Sequence, residues 1–108
     1  MTTIPFNFLG LPPEFSDRKK SRYAVLPIPY DATVSYRTGS REGPFAILLA
    51  SRQVERFDPE LGREIHRPGI FTADPIEPDA RGPKETIDRI YPYARSFVRD
   101  RNRRRQAR

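Results

Sequence analysis

The side chains suited to chemistry are few, and their types exclude more than they permit. The chain has no cysteine, which rules out disulfide frameworks and thiolate metal sites. Its single histidine, His66, has Glu64 two residues before it, so the two share one face of any extended segment. A catalytic metal site normally needs about three protein ligands, so His66 reads as a satisfied or exposed histidine and not as a ligand. Asp74, Glu77 and Asp79 form an acidic stretch. Pro75 and Pro78 interrupt it and no glycine-centred loop accompanies it, so a solvated connector is expected in place of a calcium loop. The strongest candidate is the polar loop from Pro29 to Glu42, with Tyr30, Asp31, Tyr36 and Arg37. Its Tyr-Asp and Thr-Gly pairs are also ordinary turn chemistry.

Charge adds one further candidate and then weakens it. The net charge of +6 is carried by residues 95–108, which hold seven arginines against Asp100, while residues 1–94 are neutral. The run from Arg99 to Arg105 could pair with phosphates. No aromatic residue follows Phe97, so there is no platform on which bases would stack, and nucleic acid is an unfavoured partner. Such a run is also what a frameshifted, GC-rich reading yields, because every codon beginning CG encodes arginine.

The elements that position these residues are short. Twelve prolines divide the 108 residues, and a chain of this size buries only about 60–65% of its unfolded surface. Tyr23-Ala24-Val25-Leu26-Pro27-Ile28 is an apolar, uncharged run suited to a buried strand, which Pro27 confines to an edge or ends. A helix is expected from Gly43-Pro44, because proline in the first turn loses no needed hydrogen bond. Ile47, Ala50, Ser51 and Val54 would form its inner face. Asp58 to Gly62 reads as a turn between extended stretches near Val54–Phe57 and Arg63–His66. A second strand is expected at Pro68–Thr72, followed by a connector from Asp74 to Gly82. From Pro83 onward, Ile87, Ile90, Tyr91, Ala94, Phe97 and Val98 recur at helical steps. Pro92 within that helix costs about 3 kcal/mol and predicts a kink or break. Parallel sheets need several strands and helices on both faces, so these elements open an α/β fold without completing it.

Residues 8–78 resemble the N-terminal region of the ureohydrolases of the arginase family, in their agmatinase branch. The resemblance is carried by Phe8-Leu9-Gly10-Leu11-Pro12-Pro13, Leu26-Pro27-Ile28-Pro29-Tyr30-Asp31, Ser35-Tyr36-Arg37-Thr38-Gly39, Gly43-Pro44-Phe45-Ala46-Ile47 with Ala50-Ser51, Asp58-Pro59-Glu60-Leu61-Gly62 and Asp74-Pro75-Ile76-Glu77-Pro78. It implies a three-layer α/β/α domain with a parallel sheet, longer than this chain. The implied activity is hydrolysis of a guanidino group to an amine and urea, as agmatine gives putrescine, with two manganese ions holding the attacking hydroxide. A metal-activated hydroxide suits so poor an electrophile. The family's ligand motifs, G-G-[DE]-H, D-A-H-x-D and S-x-D-x-D, do not occur here. Leu48 stands where many relatives have a polar or basic residue, and nothing after Val98 matches.

The expectation is therefore an incomplete, N-terminal part of an arginase-like α/β/α fold, with residues 1–98 the ureohydrolase segment and 99–108 a disordered, arginine-rich tail. No catalytic or metal-binding residue is assigned. The resemblance implies that Tyr30, Asp31, Tyr36 and Arg37 lie at an active-site rim or subunit contact, where Asp31 would attract a cationic guanidine. Manganese, an agmatine-like guanidino substrate and homo-oligomers are implied for the full-length family enzyme, and inactivity for this chain alone. The alternatives are a small protein that docks on an intact ureohydrolase subunit and an arginine-tailed nucleic-acid binder. No apolar run approaches the ~20 residues that span a membrane. Met1 to Pro5 lacks the basic start of a signal peptide, so a cytoplasmic location is expected.

Overall fold

Two short parallel strands organise the chain. The computed structural model describes residues 5–31 and 39–106, with 100–106 by their backbone alone. In chain order the elements are β1 (Tyr23–Val25), α1 (Gly43–Ser51), β2 (Phe57–Asp58), β3 (Arg63–Glu64), β4 (Ile70–Thr72) and α2 (Pro83–Gln106). Single 3₁₀ turns lie at Phe8–Gly10, Pro13–Phe15 and Ser40–Glu42. β1 and β4 pair in parallel with Tyr23 opposite Ile70 and Val25 opposite Thr72. Backbone bonds extend the pairing beyond both strands, from Arg22 N–H to the Pro68 carbonyl and from Ile76 N–H to the Pro27 carbonyl. Gly69 makes the close approach: it sits at φ 86°, and a Cβ there would lie 2.9 Å from Ser21 Cα. β2 and β3 form the expected hairpin, with Phe57 opposite Glu64.

Helix α1 starts at Gly43-Pro44 as expected, but its inner face differs from the predicted one. Leu48 and Ser51 are buried, whereas Ile47, Ala50 and Val54 are exposed. The helix is apolar on nearly every side, so it carries little periodic signal, and contact with the N-terminal segment decides which side is covered. That contact is specific. Leu9, 3% exposed, takes the left-handed conformation at φ 70°. Its N–H donates to Ser51 Oγ at 2.9 Å, and that hydroxyl donates in turn to the Leu48 carbonyl. Asn7 closes the same segment, accepting from Leu11 N–H and donating to the Leu11 carbonyl.

Helix α2 runs from Pro83 through Pro92 without a break, and continues to Gln106 across residues expected to be a disordered tail. Arginine is a good helix former, and cations are favoured at a helix carboxyl end. Its inner row is Thr86, Ile90, Tyr93 and Phe97, while Ile87, Tyr91 and Val98 face outward. Phe97 packs on Phe71 of β4 and on Tyr93. Among the described residues the buried hydrophobic side chains are Leu9, Leu11, Leu48, Ala73 and Ile76, against five buried polar ones. So small an apolar core leaves hydrogen bonds to fix much of the arrangement.

Candidate functional site

Because β1 and β4 are parallel, the segments that leave their carboxyl ends depart on the same side of the sheet. These are the loop after β1 and the connector after β4. Ligand crevices of open α/β sheets lie on that side, so the chemistry of these two segments matters most.

In the first, Asp31 is a clamp. Its carboxylate is buried, and Oδ2 accepts from Gly39 N–H at 2.8 Å and from Arg41 Nε at 3.1 Å. Gly39 stands at φ 132°, a backbone geometry that other residues rarely adopt. The Gly39 N–H, aided by Arg41, holds the Asp31 carboxyl below its usual pKa, with burial opposing. The carboxylate ties the two ends of the 31–39 loop and is neutralised by an arginine that is itself mostly exposed. Tyr30, next to it, makes a tight turn through its N–H to the Ile28 carbonyl. Its phenol oxygen is buried and has no hydrogen-bond partner among the described residues. Tyr36 and Arg37 lie outside the described residues.

In the second segment, Asp79 does not behave as part of a solvated connector. It is 7% exposed. It accepts from Arg81 N–H and from Arg81 Nε and Nη2, and it forms an ion pair with Arg89 Nη2 at 3.2 Å. Its own N–H donates to Thr86 Oγ1. The Arg81 side chain, then its backbone N–H, are the main causes that lower the Asp79 pKa far below the usual carboxylate range. Arg89 also donates to the Glu77 carbonyl. This hub fixes the first turns of α2 against the connector. Sequence reading missed it because the acids were weighed for metal binding, whereas Arg81 and Arg89 carry the signal.

His66 is buried as a core residue. Nε2 lies 3.1 Å from Glu64 Oε2, and Phe15 meets the ring edge-on at 4.7 Å. Nδ1 is buried without a hydrogen-bond partner among the described residues. Strand β3 ends at Glu64, so the contact is made across the turn that follows it and not along a shared strand face. No cluster of three or more His, Cys, Asp and Glu side chains that could hold a metal ion occurs among the described residues. The residues present therefore do not fit the manganese pair that the resemblance implies. No helix among the described residues is long and apolar enough to cross a membrane.

What the arrangement does is hold a loop. Asp31 and Gly39 tie its ends together, and the 3₁₀ turn at Ser40–Glu42 leads from there into α1.

Comparison with known proteins gives the arrangement a context. The model of the arginase family matches residues 21–104. An N(1)-aminopropylagmatine ureohydrolase of Thermus thermophilus is 48% identical over 58 residues, which are 54% of this chain and 20% of the relative. That of Synechocystis sp. PCC 6803 is 42% identical over 78 residues, 64% of this chain and 26% of its own. An agmatinase of Bacillus subtilis 168 is 33% identical over 91 residues, 84% of this chain and 30% of its own. The chain thus spans 20–30% of the length of these curated relatives. No solved structure gives a significant match.

Proposed function

Given that this chain belongs to the arginase family, we propose that it forms the opening part of a ureohydrolase that cleaves the guanidino group of agmatine or an N-substituted agmatine into an amine and urea. The observation that carries this reading is the run of matches to ureohydrolases of both kinds, N(1)-aminopropylagmatine ureohydrolase and agmatinase. In this reading the segment's part is to tie Asp31 to Gly39 in the chain that follows β1.

In this reading Asp31 is a positioning residue. Its charge is matched by Arg41 and Gly39, so attraction of a guanidinium falls to other groups at the rim. Tyr30, Tyr36 and Arg37 are the candidates to line that rim or a subunit contact. Two manganese ions would supply the hydroxide in the whole enzyme, and ligands other than the described residues would hold them.

These 108 residues contain one histidine and none of the three ligand motifs, so by themselves they are expected to be inactive. The purified chain is incubated with agmatine or N(1)-aminopropylagmatine and manganese, and urea is measured. No release above a protein-free control is expected. Release that scales with the amount of chain would overturn the assignment of catalysis to residues outside it.

A further inference from the structure

Helix α2 carries apolar residues on two sides. Its inner row packs on the rest of the chain, Phe97 against Phe71 of β4 and Thr86 against the connector at Asp79. Its outward side carries a second row, where Ile87, Tyr91 and Val98 are 60%, 62% and 60% exposed. At about 100° per residue these three fall within a sector of roughly 40°. Such a row is too narrow to be the face of a buried helix and too continuous to be scattered surface residues.

Cations line one flank of that row. Lys84, Arg95 and Arg99 occupy the next 80° or so of the helix wheel, and all three are exposed. Arg95 Nη1 donates to the Tyr91 phenol oxygen at 2.9 Å, and its guanidinium lies over the Tyr91 ring. Lys84 pairs with Asp88, the acid on this flank, at 3.3 Å. Arg99 makes no ion pair among the described residues. Beyond Val98 the backbone stays helical to Gln106, and residues 99–105 hold five arginines against Asp100. Positions 101 and 105, both arginine, continue the steps of the row 87, 91, 94 and 98. The arginase-family match runs to residue 104, so most of this arginine-rich stretch lies within the matched segment.

We propose that the outward face of α2 docks on an anionic lipid surface, the helix lying flat with Ile87, Tyr91 and Val98 at the acyl boundary and its arginines among the headgroup phosphates. The proposal rests on α2 alone and stands apart from the ureohydrolase reading. Charge and shape choose the occupant. An apolar row flanked by cations is what an interfacial helix presents to an anionic bilayer, and arginine stems can lie along apolar surface while their heads stay in the polar layer. A nucleic acid would take the arginines through its phosphates and leave Ile87 and Val98 without an apolar partner. A protein groove that grips a helix must reach both of its flanks, but the inner flank of α2 is occupied by Phe71 and the connector. A second copy would set arginine against arginine across a two-fold contact.

The full 108-residue chain is floated with vesicles of phosphatidylcholine alone and of phosphatidylcholine mixed with phosphatidylglycerol, at low and at physiological salt. Binding to the mixed vesicles only is expected, and it should weaken with salt. Arg99→Gln, which removes an unpaired charge, should weaken it about fivefold, and Tyr91→Asp about tenfold or more. Val98→Leu adds one CH₂ to the apolar row and should tighten it about fourfold, a gain confined to the mixed vesicles that unfolding would not mimic. Leu49→Asp, on the exposed side of α1, should leave it unchanged. Equal binding to the neutral vesicles, or loss of binding with Leu49→Asp, places the attraction on other apolar surface and overturns the proposal. Binding that responds to Arg99→Gln but to neither Tyr91→Asp nor Val98→Leu reduces the face to a polycation and overturns it as well. So does a preference for duplex DNA over the mixed vesicles at the same salt.

Discussion

When Asp31 is protonated, the Gly39 N–H and the Arg41 guanidinium lose the charge to which they donate. Its folded pKa is lowered, chiefly by the Gly39 N–H with Arg41 adding. Stabilisation is therefore fully present above the unfolded value near ~4 and is lost as pH falls through the folded value. An NMR titration should find the Asp31 carboxyl changing below pH ~4 with the Gly39 amide shift moving in step. Asp31→Asn should abolish that step and loosen the loop ends. Independent movement of the two signals would dissolve the clamp. Ser51 is the other residue with a single decisive task. Ser51→Ala leaves the Leu9 N–H buried without its acceptor, an omission worth about 1–3 kcal/mol. Hydrogen exchange at Leu9 should accelerate by about tenfold or more, and unchanged protection would mean that another group holds that strained turn. Neither task was legible from composition. Asp31 meets a partner ten positions away, and Leu9 one 42 positions away. The sequence around Tyr30 and Asp31 singled out this loop as a candidate, but not that its carboxylate is already occupied.

The elements themselves were more readable, and the exceptions have physical causes. β1, β4, the hairpin and both helix starts follow from apolar runs and turn residues. The face of α1 did not follow, because a helix whose one polar side chain is the small Ser51 offers little contrast from which to read a face. The break expected at Pro92 is absent because α2 keeps its inner row, Ile90, Tyr93 and Phe97, in contact on both sides of the proline. Pro92 still lacks an N–H for the Asp88 carbonyl, so Pro92→Ala should strengthen α2 by up to about 3 kcal/mol. Slower exchange of amides on either side of residue 92 would register the gain, and faster exchange would show that the proline shapes the helix usefully. Gly69→Ala acts in the opposite direction. Its Cβ would press on Ser21 Cα at 2.9 Å from a backbone with φ 86°, so the base of the β1–β4 pair should open. Loss of protection at Arg22 and Tyr23, whose N–H groups donate to Pro68 and Gly69, is the expected signature. Retained protection would show that the strands can separate there without loss.

At the scale of the whole molecule, the radius of gyration is 16.1 Å, against about 13 Å for a compact domain of this length. The small buried apolar set among the described residues gives little cooperativity, and the exposed rows of α1 and α2 invite association. The isolated chain should bind a dye for apolar surface and melt over a broad range. A sharp two-state melt without dye binding would identify a self-sufficient domain. The parallel pair also has a temporal side. Tyr23 pairs with Ile70, so the sheet cannot begin to form until β4 has been made. At about 5–20 residues per second, synthesis leaves β1 waiting roughly 2–9 seconds for its neighbour. Helix α1 and the hairpin are made during that interval and form from local contacts. The nascent chain therefore presents the apolar face of α1 before the strand pair that anchors this part of the molecule exists, which makes those seconds a window for capture by a chaperone or by aggregation.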